Sequence, residues 1–183
     1  MSFTLYTVGH SNRKIEYLLQ MLRAIDLQQL VDIRAYPGSI RHPQFASAYL
    51  QQALADSDIA YYWAGSRLGG MRKGRATSPH RAIASSTLRA YADYMETQEF
   101  RSAICELVDS ASTMRTVLMC AEREPSRCHR SLISDYLSTR GIQVVHLIEN
   151  DTIRVHKFHR LARRIGDRLI YDRGTTRELL LER

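Results

Sequence analysis

The chain has 183 residues and a formal net charge of +7, and 44% of its residues are hydrophobic and 25% are charged. These values are ordinary for a globular protein, and the length is most simply that of a single domain, 1–183, with a sizeable core. No apolar run approaches the ~18 residues that indicate a membrane span, and charged residues interrupt the N-terminal segment where a signal peptide would need an apolar region.

The N-terminal part of the chain alternates predicted strands and helices. Phe3 to Val8 predicts a buried strand, and Ser11 or Asn12 is placed to cap a helix whose apolar residues recur at helical spacing from Ile15 to Ile25. Leu30 to Arg34 predicts a second strand, before a turn-forming cluster. Strand, helix and strand within about 30 residues form a βαβ unit, which implies a parallel pair of strands.

The middle of the chain predicts helices, one strand and a long loop. His42 to Asp56 predicts a helix with Tyr49 facing inward, and Ile59 to Trp63 predicts a third strand. Gly65 to Ser86 has little periodicity, which is typical of a functional or mobile loop. Two further helices are predicted, at Leu88–Met95 and Phe100–Ser110.

The segment from Arg115 to Gly141 predicts a buried strand, a charged loop and a helix. Its apolar run Val117–Met119 does not alternate with polar residues, as expected of a strand covered on both faces. Ser126 is placed to cap the helix, and Gly141 is placed to end it. The chemically active side chains that crowd at this strand-to-helix junction are Cys120, Glu122, Cys128, His129 and Arg130.

The C-terminal part predicts a fifth strand at Gln143–Ile148 and then a basic tail, 154–183. In this tail, we expect a helix from His156 onward and a short strand at Leu169–Tyr171. The succession of elements predicts a single α/β domain of three layers, with a mostly parallel sheet flanked by helices.

Polar residues follow three of the predicted strands. Because the loops after parallel strands meet at one edge of the sheet, and ligands bind there, we expect these residues to gather in one pocket. A charged Asp32 near the end of a buried strand costs several kcal/mol, by order of magnitude, unless it is paired. Its partner can be Arg34 or Arg130, or Asp32 can serve the reaction. The three groups are Gly9-His10-Ser11, Asp32 with Arg34, and Cys120 with Glu122.

Cys128 is the predicted nucleophile or redox-active thiol. It lies in the first turn of the predicted helix beside Arg127, His129 and Arg130, and this position favours a thiolate. The alternative for Cys128 is a small buried hydrophobe, and Cys120 and Cys105 are expected to be structural. The residues expected to handle protons are His10, Asp32, Glu122 and His129.

Anion binding is predicted at the same edge of the sheet. Helix N-termini are expected there after Ser11 and after Ser126, and such ends bind phosphate or carboxylate. The segment Gly65–Arg81 also carries five basic residues and no acidic one, which favours anionic partners. The predicted anion-binding residues are Gly9, Ser11, Arg34, Ser39, Gly69, Gly70, Arg72 and Arg130.

The cysteines, histidines and carboxylates of this pocket are atom types that zinc takes. Their spacings match no standard zinc signature, however, so we name no metal ligands and leave the cofactor unknown, with zinc kept open as the less favoured alternative. The chain also has no Walker A motif, no G-x-G-x-x-G and no nucleophile elbow, which excludes the common NTPase, Rossmann-cofactor and α/β-hydrolase classes. With an odd number of cysteines, three, we expect reduced thiols and a cytoplasmic location.

Ordered motifs in this chain closely resemble the family called domain of unknown function 488. They are Thr7–Asn12, Val31–Ser39 with Arg41–Phe45, Leu68–Gly70, Tyr91–Met95 and Cys120–Leu132. The resemblance runs from about Tyr6 to His146 and implies a compact α/β domain with these motifs gathered in one place. It implies no particular reaction.

We therefore expect an enzyme that acts on a phosphate-bearing substrate, a nucleotide or nucleic acid, in a pocket at the carboxyl edge of the sheet. One alternative is a non-catalytic nucleic-acid-binding module that uses the basic loop and the basic tail. The other is a ligand-binding protein without catalysis, in which the polar motifs hold loops in place. The expected partners are an anionic small molecule or nucleic acid, with no membrane, and the oligomeric state is left open.

Overall fold

The computed structural model describes residues 3–38 and 41–174, so Ser39 of the predicted anion site lies outside the described residues. Its centre is a six-stranded, mostly parallel sheet with helices packed against it. This architecture confirms the predicted three-layer α/β fold.

The elements of the large sheet and its helices alternate along most of the chain. The strands of this sheet are β1 (Thr4–Gly9), β2 (Gln29–Asp32), β3 (Ala60–Trp63), β4 (Thr116–Cys120), β5 (Gln143–Glu149) and β6 (Thr152–Val155). The helices are α1 (Ile15–Arg23), α2 (Ser47–Ala55), α3 (Gly65–Leu68), α4 (Ser86–Tyr94), α5 (Gln98–Thr113) and α6 (Arg130–Thr139). A separate two-stranded sheet is formed by β7 (Ala162–Ile165) and β8 (Arg168–Tyr171).

The strand order places the ends of β1, β2 and β4 side by side. The order is β3-β2-β4-β1-β5-β6, in which the first five strands are parallel and β6 is antiparallel to β5. Gly9 at the end of β1 is level with Cys120 at the end of β4, and Asp32 at the end of β2 is level with Met119. The expectation that the tails of the first, second and fourth strands meet is therefore confirmed.

The core lies on both faces of the sheet, because the residues of β4 alternate between them. Val117 and Met119 belong to a cluster with Leu18 and Leu22 of α1. The next residues along the strand, Leu118 and Cys120, belong to the cluster that contains residues of α5 and α6. All five residues of β4 are buried, as the unalternated apolar run predicts.

Both predicted N-terminal caps near the carboxyl edge are wrong. Ser11 has a left-handed backbone (φ 50°) and α1 begins later, with Lys14 at the N-cap and no side-chain cap. Ser126 lies inside a turn of 3₁₀ helix, Pro125–Arg127, and α6 begins only after it, with His129 at the N-cap. Cys128 is extended (φ −131°, ψ 146°), and it separates the 3₁₀ turn from α6. Gly141 does end α6, with φ +77°.

Two other local predictions need correction. The predicted helix from His42 divides into a 3₁₀ turn at Pro43–Phe45 and α2, and Tyr49 is 73% exposed because Leu50 and Leu54 take the buried side. The predicted helix from His156 onward is wrong, since the regular elements of this region within the described residues are β7 and β8. The predicted strand at Leu169–Tyr171 is confirmed by β8. Alternating basic and apolar residues have the period of a strand, and Gly166 (φ 58°) provides the turn between β7 and β8.

Candidate functional site

The loops after β1 and β4 run in direct contact at the carboxyl edge. The backbone N–H of His10 donates to the carbonyl of Cys120 (2.9 Å), and that of Ser11 donates to the carbonyl of Ala121 (2.8 Å). A Cβ atom at Gly9 would lie 1.8 Å from the carbonyl oxygen of Glu122. Only glycine therefore permits this close approach of the two loops, which explains the glycine in the motif Gly9-His10-Ser11.

Asp32 and Arg34 form a buried ion pair at the end of β2. Arg34 Nη2 donates to Asp32 Oδ2 (2.5 Å), and Arg34 Nε donates to Oδ1 (2.9 Å). Tyr61 donates its hydroxyl to the same carboxylate (2.9 Å), and Arg34 Nη1 donates to the carbonyl of Phe45 (2.8 Å). The sequence left the partner of Asp32 open between Arg34 and Arg130, and the structure shows Arg34.

His10 completes this network as a neutral imidazole. Its Nδ1 lies 2.8 Å from the carbonyl oxygen of Ser11, which can only accept, so Nδ1 carries the proton. Its Nε2 then accepts from Arg34 Nη1 (3.2 Å). Burial is the main cause that lowers the pKa of His10 to about 4, and Arg34 adds to it. The lone pair that a general base would use is thus already occupied in this structure.

The second group at the edge consists of Cys120, Cys128 and His129, which we call the Cys-His cluster. His129 Nδ1 lies 3.9 Å from Cys120 Sγ and 3.7 Å from Cys128 Sγ. The three side-chain atoms all lie within 4.8 Å of one another, and all three residues are buried. The sequence predicts a structural role for Cys120, but its position at the end of β4 brings it directly against Cys128.

The two thiols of the cluster differ in their tendency to ionise. The pKa of Cys120 lies well below its usual value, first because of a hydrogen bond from Cys128 and then because of His129. The pKa of Cys128 is raised well above its usual value by its hydrogen bond to Cys120 and by burial. The sequence predicts a thiolate at Cys128, whereas these surroundings favour the thiolate at Cys120.

Arg130 lies fully buried beside the cluster. Its Nη2 donates to the carbonyl of Arg123 (2.6 Å), whereas Nε and Nη1 have no hydrogen-bond partner within the described residues. Burial lowers the pKa of this guanidinium, and Cys128 and Cys120 raise it. A buried cation with unpaired donors costs free energy, and an anion beside it would remove that cost.

The family of the chain is shown by comparison with protein-family models. The model described as "Domain of unknown function DUF488" matches residues 14–137. The chain belongs to this family. The matched span contains Asp32, Arg34 and the Cys-His cluster, while Gly9-His10-Ser11 precedes it. Neither the curated proteins nor the solved structures contained a match to this chain.

In this DUF488 protein, the glycine loop after α3 packs on His129. A Cβ atom at Gly70 would lie 2.7 Å from His129 Nδ1, and one at Gly69 would lie 2.3 Å from the carbonyl oxygen of Gly65. On the other side, the ring of Tyr91 lies 4.8 Å from that of His129, and its hydroxyl donates to the carbonyl of Leu68 (2.8 Å). The motif Tyr91–Met95 thus supports the site, a role that its sequence did not indicate.

A basic groove of about 650 Å³ continues from the glycine loop. It lies between residues 71–76 and α4, and its charged side chains are Arg72, Lys73, Arg75, Arg89 and Asp93. Arg72 donates to the carbonyl of Gly69 (2.9 Å), and its guanidinium lies 3.8 Å from the ring centre of Tyr94. The groove therefore begins one residue beyond Gly70, which touches the Cys-His cluster.

Glu122 is the predicted proton-handling residue that the structure does not bring into the buried groups, because its side chain is exposed. Ser11 lies at the edge, partly buried, with its hydroxyl donating to Asn12 Oδ1 (3.3 Å).

Among the described residues, no helix combines the length and apolar character needed to cross a membrane.

Proposed function

We propose that this DUF488 protein is an enzyme that acts on a phosphate-bearing substrate, a nucleotide or nucleic acid, in a reducing cytoplasmic setting. The substrate lies in the basic groove, and its reacting group reaches the Cys-His cluster at the carboxyl edge of the sheet. The observation that carries the proposal is that the two parts adjoin along the chain. Gly70 packs on His129, and the groove begins at Met71.

The groove has the charge that phosphate groups require. Four of its side chains are basic and only Asp93 is acidic. Arg72 and Arg89 donate to backbone carbonyls, which carry no charge, so both guanidinium groups keep their positive charge unbalanced there. Phosphate oxygens bound along the groove would supply the balancing charge.

The cluster has the groups that a reaction requires. Arg130 keeps two nitrogens without partners, and these can bind an oxyanion. Cys120 provides a thiol whose pKa its surroundings lower, and His129 provides an imidazole against both sulfurs. Because these groups are buried, the reacting group would be shielded from bulk water. Electrostatic interactions are stronger in such a buried site than in water.

A panel of nucleotides, phosphate monoesters and single-stranded oligonucleotides tests this proposal. We expect at least one class to bind, with a Kd that rises steeply with salt, and to be converted to product detectable by chromatography. Lys73→Ala should weaken binding and reduce the slope of log Kd against log salt by about 1. Lys157→Ala, in the basic tail, is the matched control and should leave both unchanged. Cys120→Ser should abolish conversion while binding remains.

The outcomes separate the hypotheses. Binding without conversion of any compound would overturn the enzyme and favour the non-catalytic module. An effect of Lys157→Ala as large as that of Lys73→Ala would move the binding surface to the tail. Failure of every compound to bind at low salt would overturn both.

The second candidate function is nucleic-acid binding without catalysis, and one observation favours it. Tyr62 and Trp63 on the edge strand β3 are 53% and 41% exposed, so their rings can stack with bases. Trp63 is the single tryptophan of the chain, so its fluorescence reports on this strand alone. Quenching by an oligonucleotide, absent with a mononucleotide, would support this function, and an unchanged spectrum at saturation would exclude it.

A further inference from the structure

The Cys-His cluster has the spacing of metal ligands. In a tetrahedral zinc site, the usual bond lengths to sulfur and nitrogen place these two atoms about 3.6 Å apart. His129 Nδ1 lies 3.7 Å from Cys128 Sγ and 3.9 Å from Cys120 Sγ. An ion placed among the three atoms would need only small shifts of the side chains to reach bonding distance.

The imidazole of His129 lacks adequate partners without such an ion. The ring is buried, the hydrogen-bonding contacts of its Nδ1 within the described residues are the two sulfurs, and its Nε2 has no hydrogen-bond partner there. Sulfur is a weak hydrogen-bonding atom, so this polar ring is poorly compensated for its burial. A metal ion at Nδ1 would replace the two weak sulfur contacts by a strong bond to nitrogen, while Nε2 stays without a partner within the described residues.

The backbone explains how two adjacent residues can serve one ion. Cys128 is extended (φ −131°, ψ 146°), and His129 is already helical (φ −57°, ψ −20°). This change of conformation lets both side chains turn toward Cys120. Gly70 and Tyr91 pack on the imidazole and fix its position, so the arrangement exists before any ion binds.

We propose that the Cys-His cluster is a zinc site, with Cys120 Sγ, Cys128 Sγ and His129 Nδ1 as ligands. Thiolate and imidazole ligands suit zinc and disfavour magnesium or calcium, which take oxygen ligands. Two thiolates balance the charge of the ion, and the neighbouring Arg130 then favours an anion in the fourth position. The identity of that anion as a phosphate oxygen of the substrate rests on the proposed function, whereas the zinc site itself does not.

Cobalt substitution of the full-length, tag-free protein tests the site. After treatment with a chelator and a reductant, addition of Co²⁺ should produce thiolate-to-cobalt charge-transfer absorption and the intense visible bands of a tetrahedral ion. Zinc should remove both, with a stoichiometry of one ion per chain by elemental analysis. Cys120→Ser, Cys128→Ser and His129→Gln should each weaken binding on the order of 100-fold or more, since loss of a group that merely supports a ligand costs about 10- to 100-fold.

Cys105→Ser is the matched control, because this exposed cysteine of α5 is absent from the cluster. It should bind cobalt as the unmodified protein does. If a ligand variant fails to fold by circular dichroism, the charge-transfer absorption of the unmodified protein still decides whether thiolates bind the ion.

Three outcomes would overturn the zinc site. They are no cobalt spectrum while all three thiols titrate, a spectrum that survives the cluster variants, and a Cys120–Cys128 disulfide whose reduction restores no metal binding. Zinc binding in a protein that binds no phosphate compound would leave the site intact and overturn the proposed function. Conversion of a phosphate compound by a protein that gives no cobalt spectrum while all three thiols titrate would do the reverse.

Discussion

At the scale of single residues, the interaction that defines the end of β2 is the ion pair of Asp32 and Arg34. Both side chains are almost fully removed from water, and the hydroxyl of Tyr61 and the carbonyl of Phe45 bind the pair. A buried pair of this kind adds little net stability, because desolvation offsets the attraction of the charges. Removing one partner is costly, since the other charge then stays buried alone.

Asp32→Asn should therefore lower the free energy of unfolding by about 3–5 kcal/mol, measured by urea denaturation at pH 7. The exposed pair of Asp26 and Arg115 (3.3 Å) offers a matched control. Asp26→Asn should cost less than about 1 kcal/mol, because water screens that pair. Equal effects of the two substitutions would show that burial does not determine the cost.

At the scale of elements, α4 and α5 begin with a side-chain N-cap, whereas α6, which begins at the Cys-His cluster, does not. Ser85 caps α4 by accepting from the backbone N–H of Leu88, and Thr97 caps α5 by accepting from that of Phe100 (both 3.3 Å). Ser126 has an equally suitable side chain but caps nothing, because a 3₁₀ turn and the extended Cys128 precede α6. This departure from a regular helix start is what aims Cys128 and His129 at Cys120.

Thr97→Ala should lower the free energy of unfolding by about 1 kcal/mol, as expected for a lost N-cap. Ser126→Ala should change it by no more than about 0.5 kcal/mol, because the exposed side chain caps no helix. Guanidinium denaturation of both variants measures these two changes in the free energy of unfolding. A cost at Ser126 equal to that at Thr97 would mean that α6 begins where the sequence alone suggests.

At the scale of the whole molecule, buried histidines connect the sheet to the helices around it. His146 in β5 contacts Thr7 Oγ1 of β1 (2.7 Å) and His156 Nδ1 (3.0 Å). The other ring nitrogen of His156, Nε2, contacts Asp135 Oδ1 of α6 (2.8 Å). Burial is the main cause that lowers the pKa of His146 to about 3, and His156 adds to it. With His10, whose pKa is about 4, the folded protein holds two histidines neutral well below neutral pH.

Stability should consequently fall as the pH is lowered from about 6.5. Unfolded histidines titrate near 6.5, so between that pH and about 4 the unfolded state binds more protons than the folded state. The free energy of unfolding should then decrease by up to about 1.4 kcal/mol per pH unit for each of the two residues. The contribution of His10 levels off below about pH 4 and that of His146 below about pH 3.

Urea denaturation between pH 7 and pH 5 measures this slope. His10→Asn and His146→Gln should each reduce it, whatever they do to stability at pH 7. Buried His80, whose pKa is also lowered by burial, contributes to the remainder. A slope that neither substitution reduces would mean that other groups cause the acid sensitivity.

The sequence by itself determined the alternation of strands and helices, the parallel sheet, and the polar residues that follow β1, β2 and β4. Periodicity, turn residues and strand ends are local properties, so they can be read without knowing the fold. Only the tertiary structure decided that Asp32 pairs with Arg34, that Cys120 joins Cys128 and His129, and that Arg130 is buried with unpaired donors. Asp32 and Arg34 are close in the chain, but the groups that enclose the pair, Phe45 and Tyr61, are not. The surroundings of Cys120 and Arg130 likewise depend on how separate segments pack, which the position of β4 between β1 and β2 fixes.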